Sequence, residues 1–101
     1  MSTIVVSREL GGEVVTREDG KRLRLLVEEG LASPPVTIDF EGLQITSVSF
    51  FDEAFGQLAR SLGEALLDAI KLERIDPFDL ALVRDIVHSR VEEARKRAAR
   101  S

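Results

Sequence analysis

Four places in the sequence carry side chains whose types and spacing could do chemistry. Thr46, Ser47 and Ser49 set three hydroxyls within four residues, immediately before an apolar helical stripe. Hydroxyls in that position can cap a helix. They can also accept a phosphoryl group, which would add about −1.5 to −2 charges at a helix N-terminus. Asp52 and Glu53 follow in the first turn. Paired carboxylates can share a proton or hold a metal, but neighbours on a helix point roughly 100° apart and form no dyad alone. Complementing the helix dipole is their plainer role. Asp39 interrupts an otherwise apolar strand, and a buried carboxylate needs a partner. It can serve a site at the carboxyl end of the strand, or brace the loop 41–48 by accepting its hydrogen bonds, with Gly42 allowing the turn. His88 is the single histidine, with only Asp85 and Glu92 near it in sequence. It reads as a solvated ring rather than a base or ligand.

These residues form no recognisable catalytic constellation, and the rest of the composition narrows the classes further. The chain has no cysteine, which excludes disulfides, thiolate metal sites and a thiol nucleophile. Its net charge of −4 and its lack of Trp and Tyr argue against a nucleic-acid interface. The basic run Arg95-Lys96-Arg97 is the plain complement to a helix C-terminus, and 95–101 is expected to fray. Gly11-Gly12 lacks the spacing and lysine of a phosphate loop. No cofactor or metal is expected. No apolar run approaches the roughly 18 residues of a membrane span. The first residues lack the charged and apolar regions of a leader, so the expected compartment is cytoplasmic.

The elements that must position these groups alternate between strand and helix. Thr3-Ile4-Val5-Val6 predicts a strand, and Glu13-Val14-Val15-Thr16 a second one paired with it across Gly11-Gly12. Thr16 is placed to cap a helix over 17–29, with Leu23, Leu26 and Val27 on one face. Gly20 weakens that helix and implies close packing there. Residues 36–40 read as a central strand, and 50–62 as an amphipathic helix with Phe51, Ala54, Phe55, Leu58, Ala59 and Leu62 inward. Residues 64–69 are ambiguous. Residues 70–75 alternate like an edge strand, and Asp76-Pro77 opens a long final helix. The expectation is one α/β domain over 1–101, a mixed sheet of about four strands carrying about three helices.

The stretch Asp39-Phe40-Glu41-Gly42, followed by Ser49-Phe50-Phe51-Asp52-Glu53-Ala54-Phe55-Gly56, resembles the family of STAS-like domains of unknown function. Thr16-Arg17-Glu18-Asp19-Gly20 is similar to the start of that family's first helix. More distantly, the chain resembles STAS domains of anti-sigma-factor antagonists, in which an Asp-Ser-Ser run opens a helix and its first serine is phosphorylated by a partner kinase. Aligned without gaps, that serine falls on Val48, with Ser47 and Ser49 on either side. The resemblance implies a STAS-like fold and a histidine-kinase-like ATPase as the class of partner.

The resulting expectation is a non-catalytic signalling module. It would bind another protein through Thr46, Ser47, Ser49, Asp52 and Glu53, with Ser47 and Ser49 as candidate phosphorylation sites and Asp39 and Gly42 bracing the loop. The alternative is a structural role as a homodimer built on strand 70–75 or the final helix. A small-ligand binder using Asp39, Asp52 and Glu53 is a third reading.

Overall fold

A computed structural model describes residues 2–11 and 16–100 of the chain. Three short strands form its sheet: β1 (Ser2–Val5), β2 (Val36–Asp39) and β3 (Ile70–Glu73). They lie in the order β1-β2-β3, and both pairings are parallel. The expected mixed sheet of four strands is therefore corrected to three parallel strands among the described residues. Residues 13–15 of the expected second strand lie outside the described residues. Val6, expected to end the first strand, instead starts α1 (Val6–Leu10).

Parallel neighbours need crossover connections, and helices supply them. Between β1 and β2 the chain forms α1 and α2 (Arg17–Gly30). Thr16 caps α2 as the sequence predicts, its side chain accepting the Asp19 N–H. Leu23 and Val27 bury the inner face. Between β2 and β3 lies one helical stretch in three parts: α3 (Val48–Phe51), a π-helical turn (Asp52–Gly56) and α4 (Gln57–Leu62). A short helix α5 (Ala65–Ala69) resolves the ambiguous segment. The last helix, α6 (Pro77–Arg100), starts where Asp76-Pro77 marks it, with the Asp76 carboxylate accepting the Phe78 N–H. It extends through the basic run expected to fray.

Burial follows the parallel topology. β2 is the central strand, and Val36, Ile38 and Asp39 on it are all buried. Ile38 pairs with Ile4 on one side and Leu72 on the other. The π turn sets buried positions four residues apart, at Phe50, Ala54 and Leu58 and at Phe51, Phe55 and Ala59. Leu62, expected on the inner face, is exposed at the helix end. Phe51 sits at the centre of the core. It meets Phe40 and Phe50 edge-on at 6.2 and 5.3 Å and stacks with Phe55 at 6.3 Å, the offset and edge geometries that aromatic quadrupoles favour. Both α2 and α6 pack against the 48–62 stretch. Among the described residues no helix is long and apolar enough to cross a membrane.

Candidate functional site

Two buried carboxylates shape the carboxyl end of β2 and the loop that follows it. The first is Asp39, the last residue of the strand. Arg74, immediately after β3, presents its guanidinium to both carboxylate oxygens, with Nε 3.1 Å from Oδ1. The Glu41 N–H donates to Oδ1 at 3.0 Å. Arg74 also pairs with Glu41 at 3.0 Å. The chain then turns, with the Leu43 N–H donating to the Phe40 carbonyl and Gly42 at φ 76°, a conformation glycine adopts without steric cost. Asp39 thus bonds both the start of the loop and Arg74, a partner 35 residues away.

The bidentate pair has a pH consequence. The Arg74 guanidinium holds the Asp39 carboxyl below its ordinary value of 3.8, against the opposing effect of burial and with help from the Glu41 N–H. A carboxylate whose folded pKa is depressed contributes stability above its unfolded value, and that contribution is lost as pH falls through the folded one. The wild-type melting temperature should therefore fall more steeply below about pH 4 than that of Asp39→Asn. Circular-dichroism melts across an acid series measure this. Parallel acid limbs in the two proteins would assign the pH dependence to other carboxylates.

The second carboxylate is Asp79, in the first turn of α6 and only 1% exposed. Its Oδ2 accepts the Ile45 N–H at 2.7 Å, and its Oδ1 accepts the Thr46 N–H at 2.8 Å. Ile45 is itself buried and anchors the loop. Thr46 is held at φ 48°, with its hydroxyl donating to the Ile45 carbonyl. That left-handed conformation is rare for a β-branched residue and survives only where the surroundings over-determine it. Ser47 follows as the N-cap of α3, its Oγ accepting the Phe50 N–H at 3.2 Å.

The result is a rim held from below. Thr46, Val48 and Ser49 are exposed and Ser47 is half-buried. Val48 is 57% exposed, unusual for an apolar residue at the start of a helix whose next two phenylalanines are buried. It also lines a shallow groove of about 310 Å³ with Leu82, Ile86 and Arg90 of α6.

Asp52 and Glu53, one turn on from that rim, are taken up in ion pairs. Asp52 meets Arg90 of α6 at 2.8 Å, and Arg90 continues to Glu93. The Asp52 carboxylate, with a smaller contribution from Glu93, leaves the Arg90 guanidinium even harder to deprotonate than usual, against the opposing effect of burial. Glu53 meets Arg24 at 2.6 Å and Arg17 at 3.1 Å, both at or within α2. The Asp52 and Glu53 side chains are only 14% and 17% exposed. These two carboxylates of the expected contact surface tie the π turn to α6 and α2. Gly56 makes room for Asp52, since a Cβ there would collide with its carboxylate.

Sequence reasoning missed Asp79, Arg74, Arg90 and Arg24. The only signal for Asp79 was its place in a helix first turn, where an acid is expected for the dipole alone. His88 is exposed on α6. Among the described residues no three His, Cys, Asp or Glu side chains are grouped to hold a metal ion.

Residues 19–79, more than half the chain, match the family model described as a STAS-like domain of unknown function. The match spans Asp39, the rim and Asp79. No curated protein and no solved structure matches the chain.

Proposed function

Because the chain belongs to the family of STAS-like domains of unknown function, we propose that it is a non-catalytic regulatory module that binds another protein through the rim at Thr46, Ser47, Val48 and Ser49. The observation carrying this reading is the contrast between the rim's exposure and its rigidity. An apolar side chain stands out of the surface at Val48, while the loop behind it is fixed through Asp79 to Ile45 and Thr46. Preorganised surfaces bind with less ordering cost. A buried carboxylate and a strained threonine are costly features for a connection that only joins a strand to a helix.

The resemblance to anti-sigma-factor antagonists supports a histidine-kinase-like ATPase as the partner class. It also supports a switch by phosphorylation, and the geometry favours Ser49 over Ser47 for it. Ser47 contributes its oxygen to the helix cap, whereas Ser49 is exposed. A phosphate at Ser49 would lie in the first turn of α3, where the helix dipole favours an anion. The repulsion expected from Asp52 and Glu53 is reduced because Arg90, Arg17 and Arg24 already pair with them.

The test is affinity capture from the host with the full chain, followed by titration of the purified captured protein. Val48→Arg should weaken that binding about tenfold or more with an unchanged melting temperature. Leu25→Arg, an equally exposed apolar position on α2, should leave it intact. Equal affinity of wild type and Val48→Arg for every captured protein would remove the rim as the docking surface.

A further inference from the structure

The edge of the sheet at β3 lies apart in sequence from the rim residues. We propose that the chain forms a two-fold dimer in which the β3 strands of two copies pair antiparallel about Leu72. β3 is an outer strand, with β2 as its only sheet neighbour among the described residues. The Glu73 carbonyl accepts the Phe40 N–H and so faces inward. Alternation along the strand turns the N–H and C=O of Leu72 to the open edge. Two copies related by a two-fold axis at Leu72 can exchange both of those hydrogen bonds, as in the hydrogen-bonded pair of an antiparallel ladder.

The side chains select a second copy as the occupant. Centring the pair on Leu72 sets Lys71 opposite Glu73 of the second copy, and Glu73 opposite its Lys71. Both residues are exposed and share the outer face of the strand. Opposite charges directly across an antiparallel pair stabilise it, and like charges weaken it. Charged side chains are one way that edge strands avoid pairing, but the sequence Lys71-Leu72-Glu73 is complementary to itself in an antiparallel pair. On the other face, Leu72 is half-buried and lines an apolar groove of about 300 Å³ with Leu67, Ile70, Leu80 and Val83. Leu67 there is 46% exposed. The Leu72 pair at the axis would extend this apolar layer across both copies into a six-stranded sheet. The interface is isologous, so each contact occurs twice.

Sedimentation or light scattering across a concentration series tests the register by charge exchange. Wild type should associate to a dimer. Lys71→Glu and Glu73→Lys should each weaken dimerisation about tenfold or more, since each places two like-charged pairs in the interface. Mixing the two variants should restore a dimer containing one of each, because every reversal then meets its complement. Circular dichroism should show both variants folded, since the altered side chains are exposed. A wild-type chain that stays monomeric at high micromolar concentration would overturn the proposal. So would a dimer indifferent to both reversals, which would belong to another face or to a partner of different chemistry.

Discussion

Asp79→Ala is expected to lower the stability of the folded chain by about 2–3 kcal/mol. Asp79 is 1% exposed and uses one oxygen for each of two backbone donors, Ile45 N–H and Thr46 N–H. Alanine leaves both donors without that acceptor, and an unpaired buried donor costs about 1–3 kcal/mol. The two sites are unequal. The bond at Ile45 is buried, whereas that at Thr46 is part-buried, so water can replace the carboxylate more readily there. Some of the loss is also returned. Thr46 is held at φ 48°, a strain of order 1 kcal/mol that a released loop can relax. Asp79→Asn keeps one acceptor oxygen and should cost about half as much as alanine.

Urea unfolding measures this as a lower midpoint at an unchanged slope, the pattern of a stability change without a change in compactness. Amide exchange should rise at residues 45–47 well before the core opens, because the lost bonds are local. A midpoint shift for Asp79→Ala worth less than about 0.5 kcal/mol, the range of ordinary surface substitutions, would mean that the loop is held by the Ile45 side chain alone. The rim would then lack the rigidity on which its proposed binding rests.

The difference between Asp79 and Asp52 shows how far the sequence could be read. Both are acids in the first turn of a helical element, where complementing the dipole is the plain role of an acid. One proves to brace a loop 34 residues away and the other to grip Arg90 at a separation of 38. Charge pairs at such separations have no periodic signature, so Arg74 with Asp39 and Arg24 with Glu53 were equally invisible. Signals that act within a few residues were legible: the Thr16 cap, the Asp76-Pro77 start, the β-branched, largely apolar run of β2 and the alternation of β3. The cap was legible as a cluster of three hydroxyls, of which Ser47 accepts the Phe50 N–H. Helix α1 was missed because Val6 continues a β-branched run and five residues are too few to show a helical period. The π turn was missed because a one-residue shift in hydrogen bonding leaves the amphipathic pattern almost unchanged. Asp52 and Glu53, which open that turn, are held in ion pairs, while Val48 and Ser49 before it are exposed.

Gly20→Ala should destabilise the chain by about 2 kcal/mol, the reverse of what helix propensity predicts. In an exposed helix interior, alanine is favoured over glycine by about 1 kcal/mol. At Gly20 a Cβ would fall inside contact distance of the Phe50 carbonyl oxygen, 3.2 Å from its carbon and 3.0 Å from the Glu53 Cβ. Phe50 cannot easily retreat. Its side chain is fully buried and its N–H is held by the Ser47 cap. Helix α2 must therefore move away, which loosens the buried Leu23 and Val27 and stretches the Arg24–Glu53 pair at 2.6 Å. Overpacking of this kind costs about 1–3 kcal/mol and at times more where backbone resists, enough to exceed the propensity gain. For a domain of this size the melting temperature should fall by about 10 °C. Lys21→Ala, one residue along on the exposed face, should stay within about 0.5 kcal/mol of wild type and so separates close packing from helix formation. Because the contact lies against α3, the helix that begins at the rim, a folded Gly20→Ala chain should also bind less tightly to any protein captured through the proposed rim surface. A variant as stable as wild type would show that α2 and α3 are farther apart than the geometry sets them, and that Gly20 serves no close approach.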